Sequence, residues 1–233
     1  MNLFTISDLH LPLGVNKPMD IFRGWDNYVD RISANWKRLV TEEDTVVIGG
    51  DISWAVSLEQ AKADFEFINS LPGQKIILKG NHDFWWSTVT KINDFLNQNK
   101  FDTIKILHNN CYCDGHIGIC GTRGWLYDGT GEKDKRVIAR ECGRLEKSII
   151  DAEKSSVAPI VFLHYPPVYG EFVSKEIIDI LKNHNIKQIY YGHIHGQKTE
   201  ALKTEYDGIK MRLVACDNID FTPVFVKKCG EFK

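Results

Sequence analysis

Short apolar runs recur along the chain and alternate with stretches of helical period. NLFTIS from Asn2, TVVIGG from Thr45, KIILKG from Lys75, APIVFL from Ala158 and KQIYYG from Lys187 are rich in β-branched and aromatic residues and read as strands. Between the first two, Val29, Ile32, Trp36, Leu39 and Val40 share one helical face. In SLEQAKADFEFINSL, Ser57 and Gln60 form a capping box ahead of Phe65 and Ile68. The stretch 132–155 sets Val137, Leu145 and Ile149 beneath a charged outer face. This strand–helix–strand alternation predicts an α/β fold. Two segments break the rhythm and predict hairpins, one turning near Asp114-Gly115 and one at Asp207-Gly208, a dipeptide that suits a type I′ turn. Hairpins added to a βαβ framework predict a mixed sheet, or two sheets packed as a sandwich with helices outside. No repeat or linker interrupts the pattern, so residues 1–233 are read as a single domain.

Composition removes several function classes. The hydrophobic fraction of 43% is enough for a large core. A formal net charge of −2 and a pI near 6.4 give no bulk attraction to nucleic acid or to an anionic membrane. The apolar runs are strand-sized and too short to span a bilayer. The opening MNLFTISDLH lacks the basic and apolar regions of a secretory signal, so a cytoplasmic location is expected. The six cysteines include no C-x-x-C pair and predict reduced thiols, not a zinc site or a disulfide scaffold. No phosphate-cradling G-x-x-x-x-G-K-[ST] or G-x-G-x-x-G occurs.

Chemistry gathers where the apolar runs stop. Asp8 and His10 follow the first, Asp51 the second, Asn81, His82 and Asp83 the third, His164 the fourth, His193 and His195 the fifth. In an open α/β sheet the carboxyl ends of the strands share one edge, and ligands bind in the crevice there. In extended chain, residues two apart point the same way, so Asp8/His10 and His193/His195 can each aim at one cavity. Gly50, Gly80 and Gly192 directly precede these residues, where the chain must leave its strand sharply. Carboxylate, imidazole and carboxamide without thiolate suit Mn2+, Fe2+ or Zn2+. A structural zinc is saturated by about four ligands. Here Asp8, His10, Asp51, Asn81, His164, His193 and His195 compete, with His82 to spare. That is enough for two ions about 3.5–4 Å apart, bridged by a carboxylate and a solvent oxygen. The resulting positive pocket favours an anionic substrate, phosphate above all.

The blocks SDLH, GGD, GNHD, LHYPP and GHIHG, in this order from Ser7 to Gly196, resemble the five motif blocks of the calcineurin-like metallophosphoesterases. The resemblance implies a four-layer α-β-β-α sandwich. It implies one metal held by Asp8, His10, Asp51 and His195 and another held by Asp51, Asn81, His164 and His193, with Asp51 bridging. The implied activity is hydrolysis of a small phosphate ester, mono- or diester, with two divalent ions: Mn2+ or Fe2+, with Zn2+ or Ni2+ as alternatives. In two-metal chemistry the pKa of a bound water is lowered to about 7, and the hydroxide attacks phosphorus in line. His82, left over once the metal sets are filled, is assigned to assist the leaving group, with Asp83 holding its ring in the right tautomer. A catalytically inactive scaffold of the same fold is the alternative; it is disfavoured because every such position is filled. The protein-phosphatase branch carries GDYVDRG and GNHE where this chain has GDISWAV and GNHD, which points to the smaller bacterial-type phosphoesterases.

The remaining candidates are less specific. Arg123, in GTRGW, reads as a salt-bridge residue, with a bidentate clamp on a phosphate oxygen as the sharper alternative. Tyr165 is expected to line the pocket. Phe84, Trp85, Trp86 and Trp54 are expected to pack the core, with stacking on an aromatic leaving group as the alternative. His108, His116 and His184 match no block and read as surface or structural residues. The loops Pro12–Asp26 and Trp125–Asp134 are expected to carry substrate choice. The absence of a long basic stretch argues against a processive nuclease.

Overall fold

The computed structural model describes residues 1–125, 131–196 and 201–229. One five-stranded sheet contains β1 (Asn2–Ile6), β2 (Thr45–Ile48), β3 (Gln74–Ile77) and β4 (Ile104–Ile106), all parallel, with β13 (Val224–Lys228) antiparallel on the edge beside β1. Helices α1 (Tyr28–Leu39), α2 (Leu58–Ser70) and α3 (Val89–Gln98) connect its parallel strands. A six-stranded sheet follows, with β5 (Tyr112–Asp114), β6 (Ile117–Thr122), β7 (Ala158–Leu163), β10 (Gln188–Tyr191), β11 (Glu205–Tyr206) and β12 (Ile209–Leu213) in the order β11-β12-β10-β7-β6-β5. Its crossovers carry α4 (Glu132–Lys154) and α5 (Lys175–Asn183), and β8 (Val168–Tyr169) pairs with β9 (Phe172–Val173) in a small separate hairpin.

Side chains alternate along the central strands between two apolar surroundings. Phe4, Ile6, Val46, Ile48 and Ile77 meet Ile32, Trp36, Phe65, Ile68 and Ile92 of the first helix layer. Their neighbours Leu3, Val47, Ile76 and Leu78 point the other way, onto Ile117, Ile119, Phe162 and Tyr190 of the second sheet. Val161, Leu163, Ile189 and Tyr191 then meet Leu145, Ile149, Ile177 and Leu181 of α4 and α5. The layers are therefore helix, sheet, sheet, helix, as the motif resemblance implies. Burial on both faces is also why the runs are continuously apolar. Among the described residues no helix is long and apolar enough to cross a membrane.

Local signals hold with small displacements. Ser57 Oγ caps α2 by accepting from Gln60 N–H, but Gln60 Oε1 accepts from Val56 N–H, one residue earlier than in a reciprocal box. On α4 Leu145 and Ile149 are buried as expected, together with Ile138, while Val137 is only half-buried. The β5–β6 hairpin pairs Asp114 with Ile117, which puts its turn at Gly115-His116, one position beyond the expected dipeptide. The β11–β12 hairpin turns at Asp207-Gly208, with φ of 50° and 77°, as type I′ requires.

The carboxyl ends of both sheets meet along one seam. Ser7 N–H donates to Val214 O at 2.9 Å and Ser7 O accepts from Cys216 N–H at 2.9 Å, stitching the end of β1 to the end of β12. His164, just after β7, reaches across and contacts Gly49 O, just after β2, through Nδ1 at 3.0 Å. The polar residues that follow the strands lie along this seam.

Candidate metal centre

Asp8, His10, Asp51 and His193 all adopt left-handed backbone, with φ of 61°, 45°, 49° and 70°. Such angles are rare for residues with a Cβ, cost about 1–3 kcal/mol each and cluster at functional sites. The pairs two apart therefore do not converge by extended alternation, as the spacing suggested. They converge because the chain kinks at each strand end while staying pinned: Asp8 N–H donates to Gly50 O at 2.9 Å and His10 N–H to Asp51 O at 3.0 Å. Gly50 does need a turn, at φ 97°. Gly80 is needed for room, since a Cβ there would lie 2.1 Å from Asp51 Oδ1.

The nitrogen and oxygen donors now face one another. His164 Nδ1 must donate to the Gly49 carbonyl, so its Nε2 presents a lone pair to Asn81 Oδ1 at 2.7 Å. His193 Nδ1 approaches the same Asn81 oxygen at 2.9 Å. His195 Nδ1 donates to Asp217 Oδ1 at 3.0 Å, and its Nε2 faces His10 Nε2 at 3.1 Å and Asp8 Oδ1 at 3.5 Å. Asp51 Oδ2 lies 3.8 Å from His10 Nε2 and 3.6 Å from His164 Nε2, between the two clusters. Acceptors at such distances repel unless a proton or a cation lies among them. Asp8, His10 and His195 form one group of possible metal-ion ligands, and Asp8, Asp51 and His164 a second, with ligand atoms in each within 4.8 Å of one another. The residues fit a cation.

Electrostatics point the same way. Burial, with Asp8 and Asp83 nearby, pushes Asp51 up to about 9. Burial also opposes ionisation of Asp8, but His195, His164 and His10 hold it well below the usual carboxylate range. Burial pushes His10 and His164 down to about 3 and His193 to about 4, so these rings are neutral and offer lone pairs. His195 is also opposed by burial, yet the Asp217 and Asp8 carboxylates hold it up at about 10. The neutral rings of His10, His164 and His193 and the Asp8 carboxylate offer donors that suit a divalent ion, while Asp51 and His195 would each give up a proton to join them.

The profile of the calcineurin-like phosphoesterases matches residues 1–197. The chain belongs to that family. No curated protein matches the sequence. Among solved structures, a protein of unknown function, AQ665 from Aquifex aeolicus, is similar at 18% identity and a TM-score of 0.53, over 96% of this chain and 95% of that one. TT1561 of Thermus thermophilus is similar at 13% identity and a TM-score of 0.57, over 97% of each chain. At such identities these likenesses show the fold alone. Family membership and the two Asp/His groups together support a metal-dependent phosphoesterase.

In this chain Asp83 does not do what its position beside His82 suggested. Its carboxylate is fully buried and accepts from the N–H groups of Gly80, Asp51, Ile52 and Ser53 and from Trp85 Nε1. With those five donors filling its oxygens, it has none to spare for the imidazole of His82. Asp83 is a clamp that holds the GGD and GNHD segments together. His82 instead sits among rings, 4.9 Å from Trp54, 5.7 Å from His10 and 6.0 Å from Phe84. Burial, aided by Lys17, lowers its pKa.

The aromatic residues divide between core and site. Trp85 is core, Phe84 is 61% exposed, and Trp54 stacks on His10 at 4.5 Å. Tyr165 lies 4.3 Å from the His193 ring and lines the centre. Arg123 faces Glu141 at 3.8 Å, beyond hydrogen-bond distance, and lines a separate cavity. The 12–26 loop reaches the centre through Trp25, 5.7 Å from His195, and through Lys17 over the Trp54 ring. In the second loop, residues 126–130 lie outside the described residues. Asp217 was missed in the sequence, although VACD ends a strand-like run on an acid as the SDLH and GGD blocks do.

Proposed function

We propose that the protein hydrolyses a small phosphate ester at a centre of two divalent cations. The observation that carries this is the convergence of lone pairs at Asn81 Oδ1, faced by His164 Nε2 at 2.7 Å and His193 Nδ1 at 2.9 Å. Asp8, His10, Asp51 and His195 would hold one ion and Asp51, Asn81, His164 and His193 the other. Mn2+ or Fe2+ fit these donors best, with Zn2+ or Ni2+ also compatible. Bound there, the ions would supply a hydroxide nucleophile near neutral pH and neutralise charge on the phosphoryl oxygens.

The chain's own groups do the rest. Gly49 O fixes the His164 ring and the Asp217 carboxylate fixes the His195 ring, so each keeps its free nitrogen aimed inward. His82 lies beside His10 without belonging to either metal set, placed to deliver a proton to the leaving oxygen. Tyr165 lies against the His193 ring and Trp54 stacks on the His10 ring. The test is hydrolysis of a chromogenic phosphate ester by the metal-stripped chain as Mn2+, Fe2+, Zn2+ or Ni2+ is added. Activity should rise to saturation at two equivalents, and Asp51→Asn should lower occupancy of both sites. Metal binding without turnover on mono- or diesters would leave the scaffold reading instead, and two equivalents still bound by Asp51→Asn would remove Asp51 as the bridge.

A further inference from the structure

A second polar cavity, of about 290 Å³, opens beside the metal centre and contains none of its candidate ligands. It is walled by Lys79, Arg123, Arg140 and Arg144, with Glu141 as its one carboxylate. Glu141 is fully buried. Its Oε2 accepts from Thr122 Oγ1 at 2.6 Å, and its Oε1 is approached by three guanidinium groups: Arg144 at 2.8 Å, Arg140 at 3.7 Å and Arg123 at 3.8 Å. Only Arg144 is within hydrogen-bond distance. Arg123 Nε is buried and, among the described residues, meets no acceptor. One carboxylate cannot balance four cations in a half-enclosed cavity, and the excess of positive charge contrasts with the chain's net charge of −2. Arg31 and Lys182, by contrast, each face a carboxylate of their own, Asp220 and Asp207.

The wall chemistry selects the missing anion. Guanidinium groups match the paired oxygens of phosphate, and a phosphoryl group carries about −1.5 to −2 near neutral pH, closer than a carboxylate to the uncompensated charge. The Thr88 hydroxyl and the Asn109 carboxamide add neutral donors at the rim. The cavity shares its frame with the metal centre. Lys79 precedes Asn81 by two residues, and the Arg123 carbonyl accepts from the N–H groups of His164 at 3.2 Å and Tyr165 at 2.9 Å. We propose that this cavity binds a phosphoryl group that does not react, next to the one that does. The "next to" rests on the phosphoesterase reading; the binding itself does not. The group is either a second phosphate of the substrate or a free phosphate.

Calorimetric titration of inorganic phosphate into the metal-stripped full chain tests the binding without any turnover. The wild type should bind, and Arg140→Gln/Arg144→Gln should bind about tenfold or more weakly, the loss expected when charged hydrogen bonds are removed. Because Arg144 partners buried Glu141, the half-exposed Arg140→Glu serves as the second variant and should weaken binding likewise while melting as the wild type does. No binding by the wild type, or equal binding by both variants, overturns the proposal. With metals restored, a raised KM for an ester bearing a second phosphate, and unchanged hydrolysis of p-nitrophenyl phosphate, assigns the group to the substrate. A phosphate-dependent rate on p-nitrophenyl phosphate that is lost in both variants assigns it to free phosphate. An inactive enzyme that still binds phosphate through Arg140 would refute the hydrolase reading alone.

Discussion

The His82 ring lies among aromatic rings, with Trp54 at 4.9 Å and Phe84 at 6.0 Å, and the Asp83 carboxylate next to it in sequence is taken up by other donors. As the imidazole beside the centre that neither proposed metal set uses, it is the group proposed to move a proton. His82→Asn should keep both metals and lower kcat by about 10²–10⁴ on an ester with a poor leaving group. Steady-state kinetics with a metal count checks this, and wild-type turnover would remove the role. Asp217 acts one step back, holding His195 Nδ1 at 3.0 Å and the Gly196 N–H at 2.7 Å. Asp217→Asn should weaken metal binding about 10–100-fold in a competition titration. Unchanged affinity would mean that His195 keeps its orientation unaided. His82 was legible because it lies inside a motif block. Asp217 was not, because it pairs across 22 residues of chain from the end of a different strand.

At the scale of elements, the five apolar runs were legible as strands because each is sandwiched and must be apolar on both faces. What the pattern hides is how the strands end. Left-handed backbone at Asp8, His10, Asp51 and His193 is imposed by cross-strand contacts such as Asp8 N–H to Gly50 O, which no local propensity encodes. Lys75 is a second case. At the start of the β3 run it looks like a solvated flank, yet it is fully buried, with Nζ donating to Leu71 O at 2.6 Å and Gly73 O at 2.8 Å. Burial pushes its pKa down to about 8 from 10.5. Between those values the unfolded chain holds a proton that the folded chain has released, so stability gains as pH rises. The penalty on the charged form is fully present below pH 8. Relative to Lys75→Met, the wild type should therefore gain stability from pH 8 to 10, with a slope approaching about 1.4 kcal/mol per unit. Denaturant unfolding of both proteins at several pH values measures it; parallel curves would mean that Lys75 is not perturbed.

For the whole molecule, alternation and hairpin signals predict an α/β fold with one mixed sheet or two, and the four layers that form are those the motif resemblance implies. The seam could not be read from periodicity alone, since it depends on the end of β1 joining the end of β12 through Ser7, Val214 and Cys216. That seam brings Asp8, Asp51, Asn81, His164, His193 and His195 from both sheets into one pocket and leaves the arginine-lined cavity as its neighbour. Anomalous diffraction from crystals soaked in Mn2+ tests the central claim most directly. The account predicts two peaks about 3.5–4 Å apart, with Asp51 between them. A single peak, or peaks away from Asn81 and His195, would contradict it.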